Sequence, residues 1–291
     1  MGEFFALLTA LMWASAVIYL KRSGETVPPF ALNVFRVVLS TPVLLLTMTL
    51  AGQRLFCDAP VRDYLILLAS GVIGIAVSDT FFLMALNRVG AGIMAIVDCL
   101  YSPLVVLFAF LLLGEELGPW QSGGMVLVIA GVLIAARHEP PRGRTTRDIL
   151  IGSFYGLLSM ATVALGIVIA KPVLNNSPVL WATTVRQIGA VVVLVVAALA
   201  MPSRRTVFSL FRPSRHWKYS VPGTFLGSYF ALIFWIAGMK YASAGPVAIL
   251  NQTSSIYILI LASIFLREPF TLRKVIASAL AIAGIVMVTL G

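Results

Sequence analysis

Long apolar runs, separated by short polar or glycine- and proline-bearing joints, recur along the whole chain. Ten stand out, over residues 2–20, 30–51, 64–86, 92–113, 119–136, 149–170, 180–200, 218–239, 243–266 and 271–290. An α-helix needs roughly 20 residues to cross a hydrocarbon core of about 30 Å. Backbone polar groups in lipid must bond within their own segment, so runs of this kind predict helices. The expected fold is an all-α membrane protein with ten transmembrane helices. The longest polar stretches are 137–148 (RHEPPRGRTTRD) and 202–217 (PSRRTVFSLFRPSRHW). The first reads as a basic linker between two halves of five runs each, residues 1–136 and 149–291. Phe208–Phe211 in the second reads as a short turn lying on the membrane surface.

The halves resemble one another. With a shift of 150, Gly2 meets Gly152, Ala14 meets Ala164, Lys21 meets Lys171, Pro28 meets Pro178 and Arg36 meets Arg186. From residue 90 the shift becomes 153: Ala91 meets Ala244, Gly92 meets Gly245, Ser102 meets Ser255, Glu115 meets Glu268 and Gly131 meets Gly284. Matches at Lys, Pro, Arg and Glu go beyond shared hydrophobicity. Five runs per half is odd, so the second repeat enters the membrane from the opposite side. Inverted repeats place a substrate site near the midplane, at their interface.

Composition agrees with this class and excludes others. Apolar residues make up 60% of the 291 and charged residues 11%, against about 25% charged in soluble domains; the mean hydropathy is +1.00. The net charge of +10 does not point to nucleic acid, because the basic residues lie in the joints. Fifteen Lys and Arg fall on one side of the expected topology, and four (Arg54, Arg62, Lys171, Lys240) on the other. The richer side is expected in the cytoplasm, with both termini outside. Cys57 in a joint and Cys99 in a run imply no disulfide. The first run has no basic region before it and no small-residue cleavage site after it, and reads as a retained helix rather than a signal peptide. No glycine-rich phosphate loop, HExxH or GxSxG occurs, and His138 and His216 both lie in joints, so no cofactor, metal site or catalytic site is expected.

The chemistry sits within the runs. Asp79 and Asp98 flank the turn near Arg88–Val89 by nine or ten residues each, which puts both about 14 Å below one membrane surface. Embedded acids usually face a bundle interior and mark an ion or substrate path. Asp79 and Asp98 are candidates for proton uptake or for holding a cationic group; the alternative is a structural pairing with Arg. Asn251 stands at the repeat position of Asp98, which leaves charge on one half only. Arg36 and Arg186 could bind a substrate carboxylate, neutralise the acids, or snorkel. Asn251 and Gln252, with Thr253, Ser254 and Ser255 behind them, could line a cavity or stitch helices together. Tyr101, Trp13 and Trp235 are the candidate cavity aromatics. Trp120, Trp181 and Trp217 read as interfacial belt residues, and Lys21 and Lys171 as interfacial anchors. Glu115 and Glu268 read as acids favouring the dipole of the helix that follows each. Pro42 and Pro103 are expected to kink their helices.

Ten runs, a five-plus-five repeat, Glu115 in LLLGEELGPWQSGG and Glu268 in FLREPFTLRK resemble the EamA-like family of the drug/metabolite transporter (DMT) superfamily. The resemblance covers nearly the whole chain. It departs at Arg267, where the first half has Gly114, and at Trp13, which meets Val163. It implies a Gly-Glu corner after each fourth helix and a small-residue fifth helix, here Gly123, Gly124 and Gly131, then Ala277, Ala281 and Gly284. It also implies a secondary transporter of small metabolites, often an exporter, in the cell membrane, and no particular substrate.

The resulting expectation is a multi-pass carrier, not an enzyme, moving an amino-acid-like or drug-like solute outward by alternating access. Its cavity should be lined by the first four helices of each half, with the fifth and tenth as scaffold. Partners are the solute, the bilayer and, by the two embedded acids, protons; a homodimer is left open. The alternative is a membrane-embedded lipid-modifying enzyme that uses the two carboxylates as acid and base.

Overall fold

The computed structural model describes residues 2–114, 116, 118–136, 145–241 and 244–290, without the side chains at 136, 239 and 244–249. Every regular element among them is helical. In chain order these are α1 (Gly2–Ser23), α2 (Pro29–Leu50), α3 (Val61–Val89), α4 (Ala91–Leu113), α5 (Pro119–Ala136), α6 (Thr146–Leu174), α7 (Val179–Ala200), the short α8 (Arg204–Ser209), α9 over residues 217–241, α10 (Ala244–Phe265) and α11 (Leu272–Leu290). Eight are long and apolar enough to cross a membrane; the apolar stretches Pro119–Ala135 and Leu250–Phe265 are shorter.

The helices interlock between the chain's halves. α1 packs on α9 and α10, while α6 packs on α3 and α4. α2 crosses α7, and α5 pairs with α11. The α5–α11 contact is backbone on backbone. A Cβ on Gly124 would stand 2.5 Å from the Gly284 carbonyl oxygen, and one on Gly284 would stand 2.6 Å from that of Gly124. Small residues permit such approach in apolar bundles, where dispersion rather than water exclusion drives packing.

Three helices are irregular where they pass the centre. α3 contains a π-helical turn, Val72–Val77, and α9 contains another, Phe225–Ala231. An inserted π-turn residue rotates everything downstream by about 100° around the axis. Asn33 and Thr80 both donate to the Ala76 carbonyl in the first turn, at 3.0 and 2.7 Å. α4 breaks at Cys99–Leu100, between Ala91–Asp98 and Tyr101–Leu113. Pro103 lacks the N–H that would reach back to the Cys99 carbonyl, in line with the expected interruption. Pro42 leaves α2 a single helix, Pro29–Leu50.

Several expectations change. Trp181 is buried rather than in a lipid belt: it stacks edge-on to Tyr64 and donates Nε1–H to the Leu55 carbonyl at 2.9 Å. Trp217 is half-buried and packs on Phe35, while Trp120 is exposed. Lys21 is buried and donates to the Asn87 carbonyl at 3.3 Å rather than reaching for headgroups. The stretch Phe208–Phe211 belongs in part to helix α8, through Phe208 and Ser209, rather than being a bare turn. Glu115 lies outside the described residues. Glu268 serves α4 rather than the helix after it: its carboxylate accepts from the N–H groups of Ala91 and Gly92 at 2.8 and 2.9 Å, and Lys274 of α11 lies 3.7 Å away. The corner before it needs a left-handed residue, and Arg267 takes φ 56° where Gly114 takes 69°. Without glycine's freedom that conformation costs about 1 kcal/mol.

Candidate functional site

A cavity of about 170 Å³ opens at the centre of the bundle, lined from α1, α2, α3, α4, α6, α7, α9 and α10. Its described lining takes nothing from α5 or α11. All nine side chains singled out in the sequence, Trp13, Arg36, Asp79, Asp98, Tyr101, Arg186, Trp235, Asn251 and Gln252, line it. Both π-turns contribute walls, through Gly74 and Ile75 on one side and Gly227, Ser228 and Ala231 on the other.

The arginines are 1% exposed, so neither snorkels. Their surroundings differ. Arg36 Nη2 lies 3.4 Å from Asp79 Oδ2, and its Nε and Nη1 have no partner among the described residues. Arg186 gives Nε–H to Ser70 Oγ at 3.0 Å; Ser70 in turn donates to the Gly166 carbonyl at 2.7 Å. The Arg186 guanidinium carbon is 5.7 Å from the centre of the Trp235 ring, a cation–π distance. Its Nη1 has no partner among the described residues. The backbone around Arg186 is fixed by close approach: a Cβ on Gly71 would stand 1.8 Å from the Arg186 carbonyl oxygen, so α3 and α7 touch there.

Asp98 ends the first segment of α4 and has neither hydrogen bond nor ion pair among the described residues. Tyr101, across the break, meets Trp235 at 6.2 Å between ring centres, and its hydroxyl has no partner among the described residues. Trp13 and Phe82 form a second aromatic wall at 5.2 Å. The polar run of α10 divides. Asn251, Gln252 and Ser254 face the cavity, with Asn251 Oδ1 and Gln252 Oε1 unpartnered among the described residues, whereas Ser255 donates to the Ala95 carbonyl at 2.9 Å and ties α10 to α4. Thr253 bonds back to its own helix at Leu250.

Sequence reading missed Gln187, Ser70 and Ser228. Gln187 donates to Ser40 at 2.7 Å across the α2–α7 contact and leaves Oε1 free toward the cavity. Its position directly after Arg186 in an apolar run was an available signal. Ser70 and Ser228 carried none, since a serine within a membrane helix more often bonds its own backbone.

A buried polar atom without a partner costs about 1–3 kcal/mol. Most such atoms among the described residues belong to side chains lining one chamber, beside two guanidinium and two carboxyl groups, inside a bundle of membrane-length helices. This defines a polytopic membrane protein with a largely apolar chamber of small-solute size that holds a few buried charged and amide groups. The profile of the EamA-like transporter family matches residues 1–137 and 150–290, and the chain belongs to that family. It is a multi-pass transporter of the cell membrane. Among its relatives, an uncharacterized transporter of Archaeoglobus fulgidus is 24% identical over 98% of this chain and 96% of its own length. The uncharacterized transporter YetK of Bacillus subtilis is 24% identical over 98% of this chain and 86% of its own. One crystal structure matches in fold at a TM-score of 0.71 and 18% identity, covering 99% of this chain and 96% of the other.

Proposed function

We propose that this transporter is a secondary carrier of ten membrane spans in two inverted halves, residues 1–136 and 149–291. It works by alternating access on a small amino-acid-like solute that bears both an anionic and a cationic group. The observation that carries the solute class is the split state of the four charges. Arg36 and Asp79 face each other, whereas Arg186 Nη1 and the Asp98 carboxylate have no protein partner among the described residues. A zwitterion offers its carboxylate to Arg186 and the Tyr101 hydroxyl, its ammonium to Asp98, and its apolar part to the walls at Trp13, Phe82 and Trp235. Placing both charges on one ligand avoids burying either alone.

The inverted-repeat reading has its own support. Arg36 and Arg186 each lie beside a glycine of the other half's π-turn: Gly227 stands 3.7 Å and Gly74 3.4 Å from the respective Nη2, measured from a Cβ built on the glycine. The α1–α9/α10 and α6–α3/α4 contacts are counterparts, and the family profile matches twice. Export is the direction the resemblance implies. Uptake of a proton by Asp79 or Asp98 is the proposed coupling event. The lipid-enzyme alternative is not favoured by membership of a transporter family.

The test is a thermal-shift screen of the purified protein against metabolites, since a ligand at 100 times its Kd stabilises the folded state by about 2.7 kcal/mol. Amino acids should raise the midpoint, while the matching amines and carboxylic acids alone should not. Stabilisation by a singly charged or neutral solute only would overturn the solute class.

A further inference from the structure

The connection between α7 and α9 carries charge that the cavity does not use. Arg204, Arg205, Arg212, Arg215 and Lys218 fall within 15 residues, and all five are exposed. None forms an ion pair among the described residues. Lys218 lies over its neighbour's ring at Tyr219. No acidic residue occurs between Asp148 and Glu268. Glu25, in the adjoining α1–α2 joint, already faces Arg22 at 3.5 Å.

These cations are presented by folded chain rather than by a loose loop. Val207 is 3% exposed and joins the main core, with Phe208, Leu210 and Phe211 packed against it. The Phe35 ring of α2 holds Phe211 at 5.2 Å and Trp217 at 6.1 Å. Trp217 donates Nε1–H to the Leu210 carbonyl at 2.9 Å, and His216 Nδ1 meets Thr26 Oγ1 at 3.0 Å. One side of the segment is therefore fixed to α2 and the α1–α2 joint, and the charge exposed on the other is all positive. It joins the ends of two membrane-length helices, at the level where lipid phosphates are the abundant anions. A cationic segment there gains on the order of 1 kcal/mol per Lys or Arg from anionic lipid, about five-fold per charge.

We propose that residues 204–218 form a binding surface for anionic phospholipid headgroups. Arg204, Arg205, Arg212, Arg215 and Lys218 take the phosphates, and the aromatic underside holds the surface in place. The inference does not depend on the solute or on the transport cycle.

The experiment incorporates the full chain into nanodiscs of equal phosphatidylglycerol and phosphatidylcholine and measures the lipids retained by native mass spectrometry after extraction. The expected result is enrichment of phosphatidylglycerol by at least about five-fold, falling to parity in R204Q/R205Q/R212Q/R215Q. The matching four-lysine variant keeps the charge and retains the enrichment. Two double variants remove equal charge: R204Q/R205Q lowers the enrichment, and R54Q/R62Q, in the α2–α3 joint and the first turn of α3, does not. Soluble glycerol phosphate at millimolar concentration leaves the retained lipid unchanged. Parity in the wild type, persistence in the glutamine variant, or equal losses in the two double variants would overturn the proposal. Displacement by glycerol phosphate would also overturn it, and would make the surface a soluble-phosphate site.

Discussion

Asp79 and Asp98 are both embedded acids in apolar runs, yet their surroundings predict opposite responses to the same substitution. Asp79 faces the buried Arg36, so Asp79→Asn leaves a guanidinium in the interior without a counter-charge. Breaking such a pair costs roughly 3 kcal/mol. Asp98 has no protein partner among the described residues, so Asp98→Asn should leave the melting midpoint of the solute-free protein unchanged or raise it. Thermal unfolding in detergent checks the ordering; equal losses would mean that Asp98 is held as firmly as Asp79. The solute is where Asp98→Asn should register, as at least a ten-fold weaker affinity for the stabilising amino acid. Arg186→Lys is expected to fail in the same assay. A lysine keeps the charge but not the fork that reaches Ser70 while lying over Trp235.

At the level of elements, bends and close approaches set the cavity. The Gly71 contact brings α3 against the backbone of α7 beside Arg186. Gly71→Ala must push the two helices apart, and overpacking of this kind costs about 1–3 kcal/mol. The expected outcome is a lower midpoint together with lost solute stabilisation, because Arg186 moves with α7. Glu268 links the α10–α11 corner to the N-terminus of α4 through two backbone N–H groups. Glu268→Ala removes a charge-assisted cap and leaves Lys274 unpaired, at a cost of about 2 kcal/mol; Glu268→Gln keeps one acceptor and should cost about half as much. Comparing the two midpoints checks the assignment, and equal midpoints would mean that the charge contributes nothing.

For the whole molecule, the proposed cycle and orientation make separate claims. In vesicles, at least one of Asp79→Asn and Asp98→Asn should abolish the response of transport to a pH gradient; unchanged dependence in both would leave facilitated diffusion. Fifteen basic residues against four predict that both termini lie outside. Tags at the two ends should therefore be accessible to a membrane-impermeant reagent on intact cells. Labelling only after permeabilisation would invert the topology without touching the cavity.

Hydrophobic run length was sufficient to indicate membrane helices, because lipid demands internally bonded backbone whatever the tertiary context. Residue type did the same for the chamber: charge and amide groups within apolar runs are costly facing acyl chains, and Arg36, Asp79, Asp98, Arg186, Asn251 and Gln252 all line one cavity. What each of them faces could not be read from order along the chain. The pairing of Arg36 with Asp79, the isolation of Asp98, the burial of Trp181 and the reach of Glu268 to α4 all depend on which helices cross and where. Those crossings rest on glycine contacts and on two π-turns that rotate the following side chains. A one-residue shift of helical phase leaves almost no mark in an apolar sequence, yet it decides which neighbour a carboxylate meets.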